Sequence, residues 1–468
     1  MWWMEILSRA QFAFTVSFHI LFPAFSIGLS TFLMIFEAVW LITKNDKYLN
    51  LVKFWTKVFA LTFGMGVVSG IVMEFQFGTN WSGFAERVGP VLGALFTYEV
   101  LTAFFIEAGA LGIMIFGWGR VNKYFHFLAN FVIFAGVTLS AFWILAANSW
   151  MQTPSGVTYA DNHFIVHSWY EVIFNPSVIP RYIHMLLGAY LSTLLVIIGV
   201  SSFYLLRKKH VVFSRTCIKF ATITLLILSV IQVYVGDDVG REVHKNQPIK
   251  TAAIEGVWQT QKGAPLVLFA WPDSKTESNK FAITIPYGAA LINTHKLDGT
   301  LIGLDSVPEK DRPVILPVFY GFRVMVGIGL LMVLIGLLGS IFIARKSIYE
   351  KRWFLKICTI CSPLGFIAII AGWFTAEFGR QPWVVYDILR TSEAVSPLSL
   401  WEVAVSLTAI VIVYFVIFGF FYFRYFFSII KHGPGEPGTE RMPYGYFQSV
   451  EQKETPTTIN TQQPMEDL

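Results

Sequence analysis

Charge is what this sequence has least of. Asp, Glu, Lys and Arg make up 14% of 468 residues, where a soluble domain carries about 25%. The scarcity excludes an ordinary soluble enzyme, and the short basic clusters between apolar runs leave no continuous basic face for nucleic acid. Cysteine is nearly absent too, with Cys217, Cys358 and Cys361 only. Cys358 and Cys361 form a C-x-x-C, but inside an apolar helix and without a second pair, so neither a zinc site nor a thioredoxin-like centre is indicated. There is no His-rich helix to build a copper centre, no internal repeat of the kind that marks inverted-repeat transporters, and no cleavable signal, because the first apolar run continues well past signal-peptide length.

What is present is hydrophobic length. The chain is 55% hydrophobic and 16% aromatic, with a mean hydropathy of +0.58. A spanning helix needs about 20 mostly apolar residues. Runs of that kind fall near 9–41, 52–73, 92–119, 125–150, 180–206, 216–235, 315–344, 353–378 and 400–429. The fold class expected is all-α: a polytopic membrane protein with about nine transmembrane helices. Lys and Arg concentrate after runs one, three, five and seven (Lys44, Lys47, Lys53; Arg120, Lys123; Arg207, Lys208, Lys209, Arg215; Arg345, Lys346, Lys351, Arg352). The positive-inside rule then puts the N-terminus outside, in the periplasm, and the C-terminus in the cytoplasm. The expected organisation is helices one to six in 1–235, a polar outer segment in 236–314, helices seven to nine in 315–430, and a cytoplasmic tail in 431–468 whose Pro, Gly, Thr and Gln content predicts disorder.

Against this apolar background the ionisable residues stand out. An ionisable group at membrane depth costs roughly 2.5–3.5 kcal/mol on insertion scales, which makes each one a functional candidate. Glu377 lies near the outer end of run eight, with Arg380 one turn on; a structural ion pair is the plain alternative. At 1.5 Å rise per residue His19 sits about ten residues into run one, roughly 15 Å deep. His184 falls within a turn or two of the outer end of run five, and Met325 about ten residues into run seven. His and Met are a haem axial pair, and a lone His or carboxylate leaves a position open on an iron. Four potential ligands thus converge on the outer half of the bilayer, beneath the polar segment. Glu99 and Glu107 are eight residues apart on run three, broadly on one side; with Ser140 at mid-depth and His126 near the inner end of run four they form a polar track of the sort that relays protons.

The strings SRAQFAFTVSFH, MEFQFGTNWS, LSAFWILAANSWMQ, KTAAIEGVWQT, NKFAITIPY, FRVM and GWFTAEFGRQPW, in this order along nearly the whole chain, resemble subunit I of the bacterial cytochrome bd quinol oxidases. The resemblance implies nine spanning helices and three haems near the outer face. His184 and Met325 would ligate the low-spin haem b558. His19 and Glu377 look like the ligands of the two high-spin haems, haem b595 and haem d (or a further haem b in its place), with the pairing left open. Glu99 sits by the same two, as a ligand or a stabiliser. Trp373 looks like the aromatic placed between haems, and Arg9, Arg323 and Arg380 would neutralise propionates, bidentate pairing suiting a guanidinium. The outer segment resembles the family's quinol-binding Q-loop, of the short type, with Lys250 and Glu255 matching the quinol site. Glu107 and Ser140 match the cytoplasmic proton path; Glu74 and Gln76 match as well, without a mechanism.

The function implied is a terminal oxidase that oxidises membrane quinol on the periplasmic side and reduces dioxygen to water at a high-spin haem. Protons come from the cytoplasm along Glu107, Ser140 and Glu99, generating a proton motive force without a pump. The implied location is the bacterial inner membrane. The implied partners are the lipid bilayer, a second membrane subunit and, in some members, a small single-helix subunit; no nucleic acid is involved. Two other classes would share parts of this residue set: a haem protein passing quinol electrons to another acceptor, and a haem-free, proton-coupled transporter using Glu99, Glu107 and Glu377.

Overall fold

The computed structural model describes residues 2–435; the predicted tail beyond 435 lies outside the described residues. The helices are α1 (Trp2–His19), α2 (Leu21–Thr43), α3 (Asp46–Thr79), α4 (Ser82–Glu99), α5 (Phe105–Phe116), α6 (Lys123–Gln152), α7 (Trp169–Ile173), α8 (Val178–Leu206), α9 (Val211–Asn246), α10 (Pro248–Glu255), α11 (Gly288–Thr294), α12 (Ile315–Ala344), α13 (Arg352–Cys361), α14 (Leu364–Phe378), α15 (Thr391–Ala394), α16 (Leu400–Ile412) and α17 (Phe420–His432). Among the described residues they supply nine stretches long and apolar enough to cross a membrane. The mostly helical fold predicted from the apolar runs is thus present. It carries in addition four two-stranded antiparallel sheets, all outside the spans. They are formed by β1 (Val157–Ala160) with β2 (His163–Val166), β3 (Gln261–Lys262) with β6 (Thr300–Leu301), β4 (Leu266–Asp273) with β5 (Ser278–Ile285), and β7 (Trp383–Val385) with β8 (Leu389–Arg390).

Local chemistry fixes the helix ends. Lys44 closes α2 in a left-handed conformation, and Asn45 caps α3 by accepting from the Lys47 N–H. Asn122 caps α6 in the same way, and Ser399 with Glu402 forms a capping box at the start of α16. Proline explains two breaks inside spans. Pro23 has no N–H for the carbonyl four residues back, that of His19, so the first span divides between α1 and α2 just after His19. Pro363 likewise leaves the Thr359 carbonyl, which the Ser362 hydroxyl satisfies at 2.9 Å. The third span contains a π-turn, Val100–Phe104, directly after Glu99.

The bundle centres on α8. Its span is 67% buried within the chain, against 17% for the last span. Lipid tails are as apolar as leucine, so helices associate through close packing, and small residues set the approach. A Cβ at Gly28 of α2 would meet Thr193 of α8 at 2.0 Å, one at Gly365 of α14 would meet the Ser192 backbone at 2.6 Å, and one at Gly336 of α12 would meet the Leu226 backbone of α9 at 2.8 Å.

The sixth span differs from the sequence expectation. Instead of ending near 235, α9 continues to Asn246, because the polar residues Asp237, Asp238, Arg241 and Glu242 extend the helix beyond its apolar part as a projecting polar turn. The outer segment therefore begins at 247. It is a packed unit with its own core, in which Trp258, Val267 and Leu304 gather around Phe319 of α12.

Gly336→Val should push α9 and α12 apart. Overpacking of this kind costs about 1–3 kcal/mol, so the purified protein should unfold at a lower temperature; an unchanged unfolding temperature would show that the contact is not tight.

Candidate functional site

One cavity of about 1720 Å³ opens among the spanning helices and the 247–314 segment, well beyond the roughly 300–1,000 Å³ of an ordinary ligand pocket. Most residues predicted for the site line it: His19, His184, Met325 and Glu377; Glu99, Glu107 and Ser140; Arg9, Arg323, Arg380 and Trp373; Lys250 and Glu255. Glu74 lines it too, whereas Gln76 is buried behind it and donates to the Thr15 hydroxyl at 2.7 Å.

His19 is the last residue of α1 and faces α3. Its Nδ1 lies 3.0 Å from the Ser69 hydroxyl oxygen, and that hydroxyl donates to the Met65 carbonyl at 2.8 Å. With its one proton given away, Ser69 accepts from Nδ1–H, which leaves the Nε2 lone pair free for a metal. Gly70 makes room for the ring: a Cβ there would sit 3.1 Å from His19 Cε1. At His184 the buried Nδ1 has no partner, and Nε2 meets Gln232 Nε2 at 3.4 Å. Met325 packs its sulfur against Gly372, where a Cβ would come within 2.6 Å, and Trp373 follows directly.

Glu377, the penultimate residue of α14, is held from three directions. Asn148 and Gln152, one turn apart on α6, each donate to Oε1 at 3.0 Å, and Arg380 pairs with Oε2. The structural ion pair is therefore present, but it does not exhaust the guanidinium. Arg380 Nε and Nη1 are buried without a partner, as is Nη1 of Arg181, whose other arm bonds Asn148. Buried donors left over in this way fit a bound anionic group such as a haem carboxylate. Together with a free His nitrogen, a thioether and a large cavity, the donor set fits haem.

Arg323 is more committed than the sequence suggested. Its guanidinium donates to the carbonyls of Val267 at 3.0 Å and of Ile254 and Phe319 at 2.8 Å, clamping the outer segment onto α12. Arg9 remains near Glu5, at 3.8 Å, on the cavity rim. Elsewhere along the cavity Ser140 donates to Glu99 at 2.7 Å. Despite the π-turn between them, Glu99 and Glu107 both face α6: a Cβ at Gly136, one turn before Ser140, would lie 2.6 Å from Glu107 Cγ. Glu107 Oε1 is buried and unpartnered. His126 does not join this track. Its Nδ1 bonds the Glu37 carboxylate at 2.7 Å and its Nε2 the Met114 carbonyl at 3.1 Å, beneath the Trp118 ring, while Asn130 donates to the other Glu37 oxygen at 2.7 Å. Glu37 was legible as an acid inside an apolar run, but its partners lie on another helix.

In the outer segment Lys250 and Glu255 are 3% and 2% exposed. Lys250 Nζ donates to Gln152 Oε1 at 2.5 Å. Burial, reinforced by the positive charge of Arg181, lowers the Lys250 ammonium well below the usual lysine range. Glu255 Oε1 accepts from Asn293 at 2.9 Å and Oε2 has no partner. Burial raises its carboxyl above the usual range, opposed by Asn293 and by Arg323. Asn148, Gln152, Arg181, Ser69 and Gln232 escaped the sequence reading. A signal existed for the first two, polar residues four apart in an apolar run and so on one helix face.

A family model described as cytochrome bd terminal oxidase subunit I matches residues 7–434. The chain is 35% identical over 484 residues to cytochrome bd-II ubiquinol oxidase subunit 1 of Escherichia coli (strain K12), covering 88% of this chain and 94% of that one. It is 37% identical over 403 residues to cytochrome bd ubiquinol oxidase subunit 1 of Bacillus subtilis (strain 168), covering 84% and 86%. Among solved structures it resembles the bd oxidase from Geobacillus thermodenitrificans with a TM-score of 0.85 and 28% identity, over 92% of this chain and 99% of that one.

His126→Leu would leave the buried Glu37 carboxylate short of a donor, which costs about 1–3 kcal/mol. The unfolding temperature of the purified protein should fall accordingly; no change would mean that water replaces the imidazole.

Proposed function

The chain belongs to the cytochrome bd terminal oxidase subunit I family, and from that premise we propose how its residues divide the work of a quinol:oxygen oxidoreductase. One observation carries the reading: His19, His184, Met325 and Glu377 open into the same cavity as Arg181 and Arg380, whose leftover donors await an anion. Haem, when bound there, supplies electron transfer and the reduction of dioxygen to water.

The chain's own part is to hold, orient and move protons. His184 and Met325 would hold haem b558. His19, oriented by Ser69, and Glu377 would each hold one of the two high-spin haems, haem b595 and haem d or a further haem b. Arg380 and Arg9, with Arg181, would meet propionates, Arg323 contributing what its carbonyl bonds leave free, and Trp373 would separate the flat groups. Lys250 and Glu255 would contact quinol arriving from the membrane. A glutamate with a raised pKa can accept a quinol proton and pass it outward. On the other side Glu107, Ser140 and Glu99 would bring protons from the cytoplasm, so that the two half-reactions separate charge without a pump. This assignment needs the N-terminus in the periplasm and the C-terminus in the cytoplasm of the bacterial inner membrane, as the Lys and Arg distribution supports. It also calls for a second membrane subunit, with a small single-helix subunit in some members of the family.

Two measurements test the assignment. His184→Leu or Met325→Leu should abolish the low-spin b band in the reduced-minus-oxidised spectrum of the purified complex while a carbon monoxide response persists; an unaltered spectrum would refute the ligand pair. Glu255 must be ionised to accept a proton, so quinol oxidation should rise with pH through a value above the ordinary carboxylate pKa of about 4.3. Glu255→Gln should remove this limb and cut turnover roughly 100-fold with haem content retained; an unchanged profile would place the quinol elsewhere.

A further inference from the structure

The carboxylate and the lysine at the two ends of this site are joined by one side chain to which neither the family resemblance nor the proposed roles gave a part. Gln152, the last residue of α6, is 2% exposed. Its Oε1 accepts from Lys250 Nζ at 2.5 Å and from Gln247 Nε2 at 3.2 Å, and its Nε2 donates to Glu377 Oε1 at 3.0 Å and to the Ala376 carbonyl at 3.4 Å. A glutamine amide has two acceptor directions and two donor protons, and here all four are taken. Turning the amide over would set its NH2 against the Lys250 ammonium and its oxygen against the Glu377 carboxylate, so the neighbours dictate its orientation. Gln247 also donates to the Gln152 backbone carbonyl at 2.9 Å, tying the start of α10 to the end of α6.

We propose that Gln152 is a positioning residue that couples the outer segment to the Glu377 carboxylate, so that whatever displaces Lys250 is felt at Glu377. Asn148 supplies the contrast. It donates to the same Glu377 oxygen but leads back to Arg181 within the bundle, not to the outer segment. The inference rests on the reading of Lys250 as a quinol contact and of Glu377 as a haem ligand, and it assigns Gln152 no contact with either group.

The test is a mutant cycle on the intact complex, read by difference spectra and potentiometric titration of the haems. Lys250→Met alone should alter the high-spin haem, changing its oxidised-to-reduced ratio at fixed potential by roughly fivefold or more, the low end of couplings between sites. In a Gln152→Met background the same Lys250→Met change should lose most of its effect, keeping only the direct charge–charge part between Lys250 and Glu377, whereas in an Asn148→Leu background it should persist in full. Equal Lys250→Met effects with and without Gln152, or no effect in any background, would overturn the coupling. Should Gln152→Met fail to assemble, Gln152→Asn keeps both polar functions one methylene shorter, too short to span Lys250 and Glu377, and should break the cycle in the same way. The quinol KM separates this inference from the reading beneath it. Coupling with an unchanged KM in Lys250→Met would remove Lys250 from the quinol site and leave the bridge standing. A haem-bearing complex without coupling would sink the bridge alone, and a complex without haem bands would sink both.

Discussion

Polar and charged side chains in the hydrocarbon must be satisfied by one another, and this bundle is built around that constraint. An unpaired ionisable group at membrane depth costs several kcal/mol. Glu377 is accordingly held by Asn148, Gln152 and Arg380, Glu37 by His126 and Asn130, and Glu99 by Ser140. Among the atoms left without partners, His184 Nδ1, Arg181 Nη1, and Arg380 Nε and Nη1 belong to residues that line the same cavity. Charged and imidazole donors left without partners around one large space make that space a candidate binding site.

The residues that matter most sit where helices stop being regular. His19 ends α1 because Pro23 denies its carbonyl a donor. Glu99 precedes a π-turn, an irregularity often found at functional sites. Gln152 is the last residue of α6, and Glu377 the last but one of α14. A helix end frees the backbone from its ladder and turns side chains inward at an angle that a straight helix does not offer. Glycines Gly70 and Gly372 complete the effect by letting His19 and Met325 lie close to neighbouring helices.

The outer segment extends the same logic beyond the membrane. It is anchored through Arg323, whose guanidinium spends its bonds on backbone carbonyls of β4 and α10 and lies 3.3 Å over the Phe319 ring, and through the Tyr320 hydroxyl, which donates to Ala270 at 2.7 Å. Fixed in this way it presents Lys250 and Glu255 to the cavity, both removed from water. Burial brings the two residues towards neutrality from opposite directions, the lysine downward and the glutamate upward.

Much of this was legible in the chain. Hydropathy alone located the nine spans, since a bilayer demands about 20 apolar residues wherever it is crossed, and depth along each span brought His19, His184, Met325 and Glu377 to one level. The motif strings supplied the family. Hydropathy stopped short at α9, which continues as helix to Asn246 although its polarity reads as loop, because hydrogen-bonded backbone does not need apolar side chains once outside the lipid. It also gave no warning that His126 pairs with Glu37, or that Gln152 lies between Lys250 and Glu377. Depth is a one-dimensional quantity that each helix carries by itself, and the sequence determined it. Which face of one helix meets which face of another depends on rotation and approach, and these were set only when Gly28, Gly336 and Gly365 let specific pairs of helices close.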